Sequence, residues 1–242
     1  MCGIYGVISL KERNALDINT ARKATKILAH RGPDDSGDYD DEHVFLGHTR
    51  LSIVDLSTRG KQPMFSADER LVIVYNGEIY NFKELKKELE SKGCKFNSGT
   101  DTEVLLYLYK DRGKKIVNDL DGMFSFLIWD RDKKEGFIAR DRIGKKPFYY
   151  TFFDDKFYFA SEIKALLVNE ELPREVDKEA LSGFLAYDYV IPPKTMFKGI
   201  FELMPGHYGV YNSKGLKISQ YWDLPCYNNF IRGDAKKVDE LL

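Results

Sequence analysis

The chain has 242 residues, 43% of them hydrophobic and 14% aromatic, which supplies enough apolar side chain for one sizeable core. Lysine and arginine number 37 against 38 acidic residues, a formal net charge of -1, so no charge excess draws the chain to nucleic acid or to an anionic membrane. No apolar run is long enough to span a bilayer, and the three scattered cysteines, Cys2, Cys94 and Cys226, suggest neither a disulfide framework nor a zinc pair.

The apolar run at the N-terminus has no basic residue before it and stops at Lys11-Glu12-Arg13, unlike a signal peptide; it reads as a buried strand, 4–10, of a cytoplasmic protein. Cys2 follows the initiator Met directly. A small second residue permits Met removal, and Cys2 would then hold a thiol and a free α-amine, whose reference pKa of roughly 7.7–8 suits it to accept a proton. The plainer reading is a small buried cysteine beginning a strand. A helix with Ala21, Ala24, Ile27 and Leu28 on one side follows, ending in His30-Arg31-Gly32-Pro33-Asp34, a cationic last turn and a Pro breaker. His30 is not needed as a partner for Cys2. The four histidines are dispersed, so no metal site is expected.

Strands are expected at 44–47 and 71–75. Between them Arg50 lies in a strand-like run, where its fork suits either a neighbouring carboxylate or a substrate carboxylate. After the second strand comes Asn76-Gly77-Glu78. Asn-Gly is a turn signal, but an Asn amide and an unobstructed Gly N–H also suit a developing oxyanion. Asn81 with Glu84, and Thr100 with Glu103, read as helix caps, with Gly93 and Gly113 as stops. Asp101, in the first turn of the second of these helices, favours the helix dipole or holds a substrate ammonium.

Further strands at 123–129, 136–139, 148–153 and 157–160 are joined by short polar turns, which implies antiparallel pairing. The segment from Arg140 to Pro147 carries glycine and lysines but not the GxxxxGK[ST] pattern, so it reads as a charged turn rather than a phosphate cradle. Helices are expected after Ser161 and after Asp177. From about Pro173 the segments shorten, Trp222-Asp223-Leu224-Pro225 closes a compact unit, and 234–242 resembles the start of a helix. The class is α+β.

Together these motifs resemble one family, the class II glutamine amidotransferases, and within it the glutaminase domain of glutamine-hydrolysing asparagine synthetases. The likeness runs from Met1-Cys2-Gly3-Ile4-Tyr5-Gly6 to about Trp222. It takes in His30-Arg31-Gly32-Pro33-Asp34, the Arg50 and Asn76-Gly77 segments, Gly99-Thr100-Asp101-Thr102-Glu103, Asp121-Gly122-Met123-Phe124, Arg140-Asp141 with Gly144 and Pro147, and Ser161-Glu162-Ile163-Lys164. Pro33-Asp34 and Glu78 favour this branch over hexosamine-forming synthases and amidophosphoribosyltransferases, though related amide- or lactam-forming synthetases share them.

The resemblance implies an N-terminal-nucleophile hydrolase fold, a four-layer αββα sandwich of two antiparallel sheets. It implies that Cys2 attacks the glutamine side-chain amide, with Asn76 and the Gly77 N–H as oxyanion hole. Arg50 then binds the substrate α-carboxylate, Glu78 and Asp101 hold its α-ammonium, and the backbone of Leu51, Ser52, Ile53 and Val54 lines the pocket. Cys2, rather than Cys94 or Cys226, is expected to combine thiolate character with a formed oxyanion hole. Residues 1–225 would be the glutaminase domain and 226–242 a linker toward a C-terminal synthetase domain. That domain's Ser-Gly-Gly run followed by Asp-Ser is not among these residues, so ATP and magnesium are assigned to the parent enzyme and no cofactor or metal to this chain. The chain is then expected to hydrolyse glutamine and make no asparagine. A homodimer is compatible with the sequence, and a non-catalytic glutamine-binding module is the alternative reading.

Overall fold

The computed structural model describes residues 1–11 and 16–225. Cys226, the linker 226–242 and the expected terminal helix lie outside the described residues. The strands in chain order are β1 (Gly3–Ser9), β2 (Asp35–Asp40), β3 (Val44–Arg50), β4 (Met64–Phe65), β5 (Leu71–Ile79) and β6 (Gly122–Asp130). They continue as β7 (Glu135–Arg140), β8 (Tyr149–Phe153), β9 (Lys156–Ala160), β10 (Ile200–Glu202), β11 (His207–Asn212) and β12 (Gly215–Gln220). The helices are α1 (Ile18–Lys26), α2 (Phe82–Ser91), α3 (Asp101–Arg112), α4 (Ile163–Leu166) and α5 (Lys178–Tyr187).

Two six-stranded sheets form, in the orders β10-β8-β9-β1-β3-β2 and β12-β11-β7-β6-β5-β4, with every named pairing antiparallel. Side chains alternate between the two faces of a strand, and here each central strand feeds two cores. On β1, Ile4 and Ile8 enter the core between the sheets, while Tyr5 and Val7 face α1. On β5, Val72 and Val74 point between the sheets, while Leu71, Ile73 and Tyr75 pack under α2 and α3. On β6, Leu127 and Trp129 point between the sheets, and Phe124, Phe126 and Ile128 point outward. Three cores separated by two sheets make the four layers, an α+β sandwich. Each fully buried Leu, Ile or Phe in them contributes roughly 1.5–3 kcal/mol.

Several local expectations change in this context. Asn76-Gly77 is not a turn: β5 runs on to Ile79, with Asn76 opposite Ser125 and Gly77 opposite Phe124. Asn81 makes no cap bond, because its side chain donates to the Asp119 carbonyl and accepts from the Asp121 amide. Thr100 does cap α3, accepting from Glu103 N, and Asp177 caps α5. α1 stops at Lys26, so Ile27 turns outward at 43% exposure while Ala21, Ala24 and Leu28 are buried. The helix after Ser161 is a single turn. Five strands went unread in the sequence: β2, β4, β10, β11 and β12. No helix among the described residues is long and apolar enough to cross a membrane.

A buried polar link joins the sheets through β3 and β5. The fully buried His48 of β3 donates through Nε2 to the Tyr75 carbonyl of β5 at 3.1 Å, and its Nδ1 has no partner. Burial therefore keeps the ring neutral and lowers its pKa to about 4. The unfolded ring takes up a proton below about 6.5, so this contribution is complete above that pH and is lost as pH falls through about 4. Urea denaturation should show wild type losing more stability between pH 7 and pH 4.5 than His48→Gln does, by roughly 3 kcal/mol or less. Parallel losses in the two proteins would remove His48 from the account.

Candidate active site

The alternation that fills the inner core also builds the site at one end of it. Cys2 extends the row Ile4, Gly6, Ile8; His48 and Arg50 extend Val44 and Leu46; Asn76 extends Val72 and Val74. Gly3 pairs with Thr49, which sets Cys2 beside the end of β3. A Cβ on Gly3 would lie 2.6 Å from Thr49 Oγ1 and 2.8 Å from Leu28 Cβ, so only glycine permits this seat. The Cys2 sulfur accepts from Leu51 N at 3.4 Å and lies 3.7 Å from Leu51 O.

Gly77 offers a free donor by strand parity. On the edge of β5 away from β6, Tyr75 N donates to Gln62 Oε1 at 2.7 Å and Ile79 N to Asp101 Oδ2 at 3.0 Å. Phe124, opposite Gly77, uses its own N–H and C=O on Asp141 instead. The Gly77 N–H therefore projects from the same edge, between those two occupied donors. A Cβ on Gly77 would come within 2.3 Å of the Met123 carbonyl. Beside it Asn76 is 1% exposed, and neither Nδ2 nor Oδ1 has a partner. A buried amide without partners is costly unless a ligand supplies them.

Arg50 forms no ion pair with a carboxylate among the described residues. Its guanidinium donates to the carbonyls of Ser57, at 2.9 Å, and Asp55, so the 51–57 loop wraps around it. Asp55 ties the same loop onward by accepting from Gly99 N at 3.1 Å, and backbone and hydroxyl bonds from Ser57 hold its carboxyl at about 2. Ser52 N donates to Asp34 at 2.7 Å, which anchors the 51–54 segment to the Pro33-Asp34 motif. Leu51 and Ser52 are half-buried there, while Ile53 and Val54 are exposed. Asp101, 4% exposed, accepts from the Tyr75 hydroxyl at 2.7 Å as well as from Ile79 N, and burial raises its pKa. Glu78 is half-buried on the strand between.

The thiol corrects one expectation. Burial pushes the Cys2 thiol up, against lowering by Leu51 N–H, the N-terminus, Arg50 and Lys146, so it is not a resting thiolate. Burial also lowers the pKa of the Met1 amine beside it, helped by Arg31 and Lys146. Cys94 is half-buried against the helical core.

The sequence reading missed Arg31 and Glu162. Arg31 Nε donates to the Cys2 carbonyl at 3.0 Å, and its Nη1 donates to Glu162 at 2.8 Å. Burial opposes ionisation of Glu162, yet Arg31, Lys164 and His30 together hold its carboxyl at about 2. Arg31 lies in the 30–34 motif and Glu162 in the 161–164 motif, and only the fold shows that these motifs meet. His30 bonds to Glu162. A separate cavity of about 820 Å³, lined by Arg70, Tyr109, Lys110, Tyr208 and Lys217 among others, contains none of the site residues.

Comparison with known proteins bears on the family and the fold. Asparagine synthetase [glutamine-hydrolyzing] 3 of Bacillus subtilis (strain 168) is 40% identical over 227 residues, 93% of this chain and 37% of that protein. A putative asparagine synthetase [glutamine-hydrolyzing] 2 of Methanocaldococcus jannaschii is 37% identical, over 99% of this chain and 50% of its own length. The chain thus spans half or less of these relatives. A solved glutamine phosphoribosylpyrophosphate amidotransferase from B. subtilis shares the fold, with a TM-score of 0.64 at 22% identity over 91% of this chain and 49% of that one. With the glutamine amidotransferase domain matching residues 1–222, from the cysteine end of β1 to the strand that follows the last hairpin turn, the chain belongs to that family.

Proposed function

We propose that this chain hydrolyses glutamine to glutamate and ammonia through a thioester on Cys2. In the parent protein it would supply ammonia to an ATP-dependent asparagine synthetase domain, with residues 1–225 as the glutaminase unit and the cytoplasm as its place. The observation that carries this reading is the unpartnered Asn76 amide beside the outward Gly77 N–H, at the same end of the inner layer as Cys2.

With Met1 attached, the Cys2 nitrogen is an amide and cannot act as base. Removing Met1 turns it into an amine adjoining the sulfur. The amine takes the thiol proton as sulfur attacks the side-chain carbonyl carbon of glutamine, and the oxyanion is held by Asn76 Nδ2 and Gly77 N–H. Each such donor is worth roughly 3 kcal/mol in the transition state. The C–N bond then breaks, the amine returns the proton to the departing nitrogen, and ammonia leaves a γ-glutamyl thioester. Water, deprotonated by the same amine, attacks the thioester, and glutamate departs as the sulfur recovers its proton. The raised thiol fits a nucleophile activated in the act of attack rather than a preformed thiolate. None of these steps uses a metal or cofactor.

For recognition, the carbonyls around Arg50 satisfy its donors without neutralising its charge, which suits it to the α-carboxylate. Asp101 and Glu78 then take the α-ammonium, and the buried Asp101 gains a cation that offsets its desolvation. The backbone of Leu51, Ser52, Ile53 and Val54 lines this pocket.

Intact mass should show the active chain beginning at Cys2, and an uncleaved N-terminal tag should abolish glutamate release; full activity with Met1 retained would end the amine-base mechanism. A glutamine-shaped electrophile should label Cys2 in peptide maps and spare Cys94 and Cys226. Asp101→Asn should lower kcat/KM for glutamine by roughly ten- to a hundred-fold, and Tyr75→Phe, which keeps the charge, by much less. Equal losses in the two variants would assign Asp101 a structural role only. Given aspartate, ATP, magnesium and ammonia, the chain should form no asparagine, while glutamine added to it yields glutamate.

A further inference from the structure

The charged segment between β7 and β8 is fastened from both sides. The Asp141 carboxylate accepts the amides of Phe124, Ile143, Lys145 and Lys146 at 3.2, 3.2, 2.9 and 3.0 Å. The Arg140 guanidinium donates to the carbonyls of Lys146, Gly144 and Leu203 at 2.7, 2.8 and 2.6 Å and pairs with Glu202 at 2.6 Å. Both backbone polar groups of Lys146 are thus held by two buried, charged side chains. Two such residues committed to one short loop make its conformation rigid, and with it the direction in which Lys146 leaves the backbone.

The Lys146 side chain turns inward. The residue is 5% exposed, and its ammonium forms no hydrogen bond or ion pair with another described residue. Burial lowers its pKa and Arg31 lowers it further, whereas Cys2, Asp141 and Glu78 raise it. It therefore stands in the electrostatic field of the sulfur, of the first residue past Gly77, and of the arginine bonded to the Cys2 carbonyl. A buried cation without a partner carboxylate is unfavourable in a purely structural loop.

We propose that Lys146 is a positioning residue of the glutaminase reaction, a fixed positive charge that stabilises the Cys2 sulfur as it gains negative charge. The inference rests on Cys2 being the nucleophile. Besides Lys146, the charged and titratable groups that act on the sulfur are the N-terminus and Arg50 as cations and Tyr75 as a hydroxyl on β5, while Arg31, Asp141 and Glu78 surround Lys146 itself. Among the cations, Arg50 is bonded to its loop and Arg31 to Glu162 and the Cys2 carbonyl. Among these side-chain cations, Lys146 is the one that forms no hydrogen bond or ion pair with another described residue.

The test reads the sulfur itself. Wild type, Lys146→Met, Lys146→Gln and Lys146→Arg are alkylated with iodoacetamide across pH 6–10, and the Cys2 and Cys94 peptides are quantified separately. In Lys146→Met the Cys2 profile should move to higher pH, with alkylation at pH 7 slower by about three-fold or more, as loss of a nearby charge requires. Cys94 should not change, Lys146→Gln should follow Lys146→Met, and Lys146→Arg should return toward wild type. kcat for glutamine should fall more than KM rises. Thermal melts identify any variant that fails to fold, in which case the Gln and Arg pair decides. Superimposed Cys2 profiles in folded variants would overturn the inference while leaving the glutaminase reading intact. Absence of glutamate release from wild type would instead overturn that reading, and the alkylation profiles would still decide whether Lys146 acts on the sulfur.

Discussion

Strand alternation is the constraint on which everything else in this molecule rests. A side chain's parity on β1, β3 or β5 decides whether it meets the helices or the opposite sheet, and the even-numbered residues meet the sheet. Along the middle of the layer that row is Ile4, Ile8, Val44, Leu46, Val72 and Val74. Towards one end it becomes Cys2, His48, Arg50 and Asn76 without any change of direction. The site is therefore a continuation of the core in polar residues, and its rigidity is that of the core. A one-residue slip of β1 against β3 would send Cys2 to the helical side and replace it with a glycine.

The electrostatics follow from that placement. A thiol at the rim of an apolar layer is desolvated, which raises its pKa, and the surroundings answer with cations rather than with a histidine base. His48, the nearest candidate by parity, is spent on joining the sheets and is kept neutral by the same burial. Around the thiol, Arg31, Arg50 and the loop carrying Lys146 come from three separate parts of the chain, each held by bonds to backbone carbonyls or to buried carboxylates. The fixed charges are preorganised before any substrate arrives.

Much of this was legible in the sequence. The central strands are apolar on both faces and show as unbroken runs, and Thr100 with Glu103 forms its cap from local bonds alone. What escaped notice depends on partners far along the chain. β2 alternates half-buried and exposed positions at a sheet edge, so Asp35–Asp40 offers no hydrophobic signal. Asn81 has the local makings of a cap but bonds with Asp119 and Asp121 from another segment. Asn76-Gly77 has the local makings of a turn, and nine residue pairs with β6 override it. Cys2, Arg50, Asn76 and Asp101 were each ambiguous as single residues. Arg31 was readable as the end of a helix, but its bond to Cys2 spans 29 positions and has no sequence signature.

Folding Asn76-Gly77 into a strand also bears on how the protein ages. Asn-Gly is the dipeptide most exposed to deamidation, in which the glycine nitrogen attacks the preceding side-chain amide, expels ammonia and closes a succinimide ring. Closure needs a backbone that can leave the extended conformation and an amide that can swing toward it. Here the peptide is held extended by its pairing with Ser125, and the amide sits at 1% exposure between two sheets. The native ladder thus slows the conversion of Asn76 into an aspartate, which would replace the amide donor of the proposed oxyanion hole with a negative charge. Unfolded chains have no such protection, so time spent unfolded would leave a chemical scar at a residue on which the proposed reaction draws.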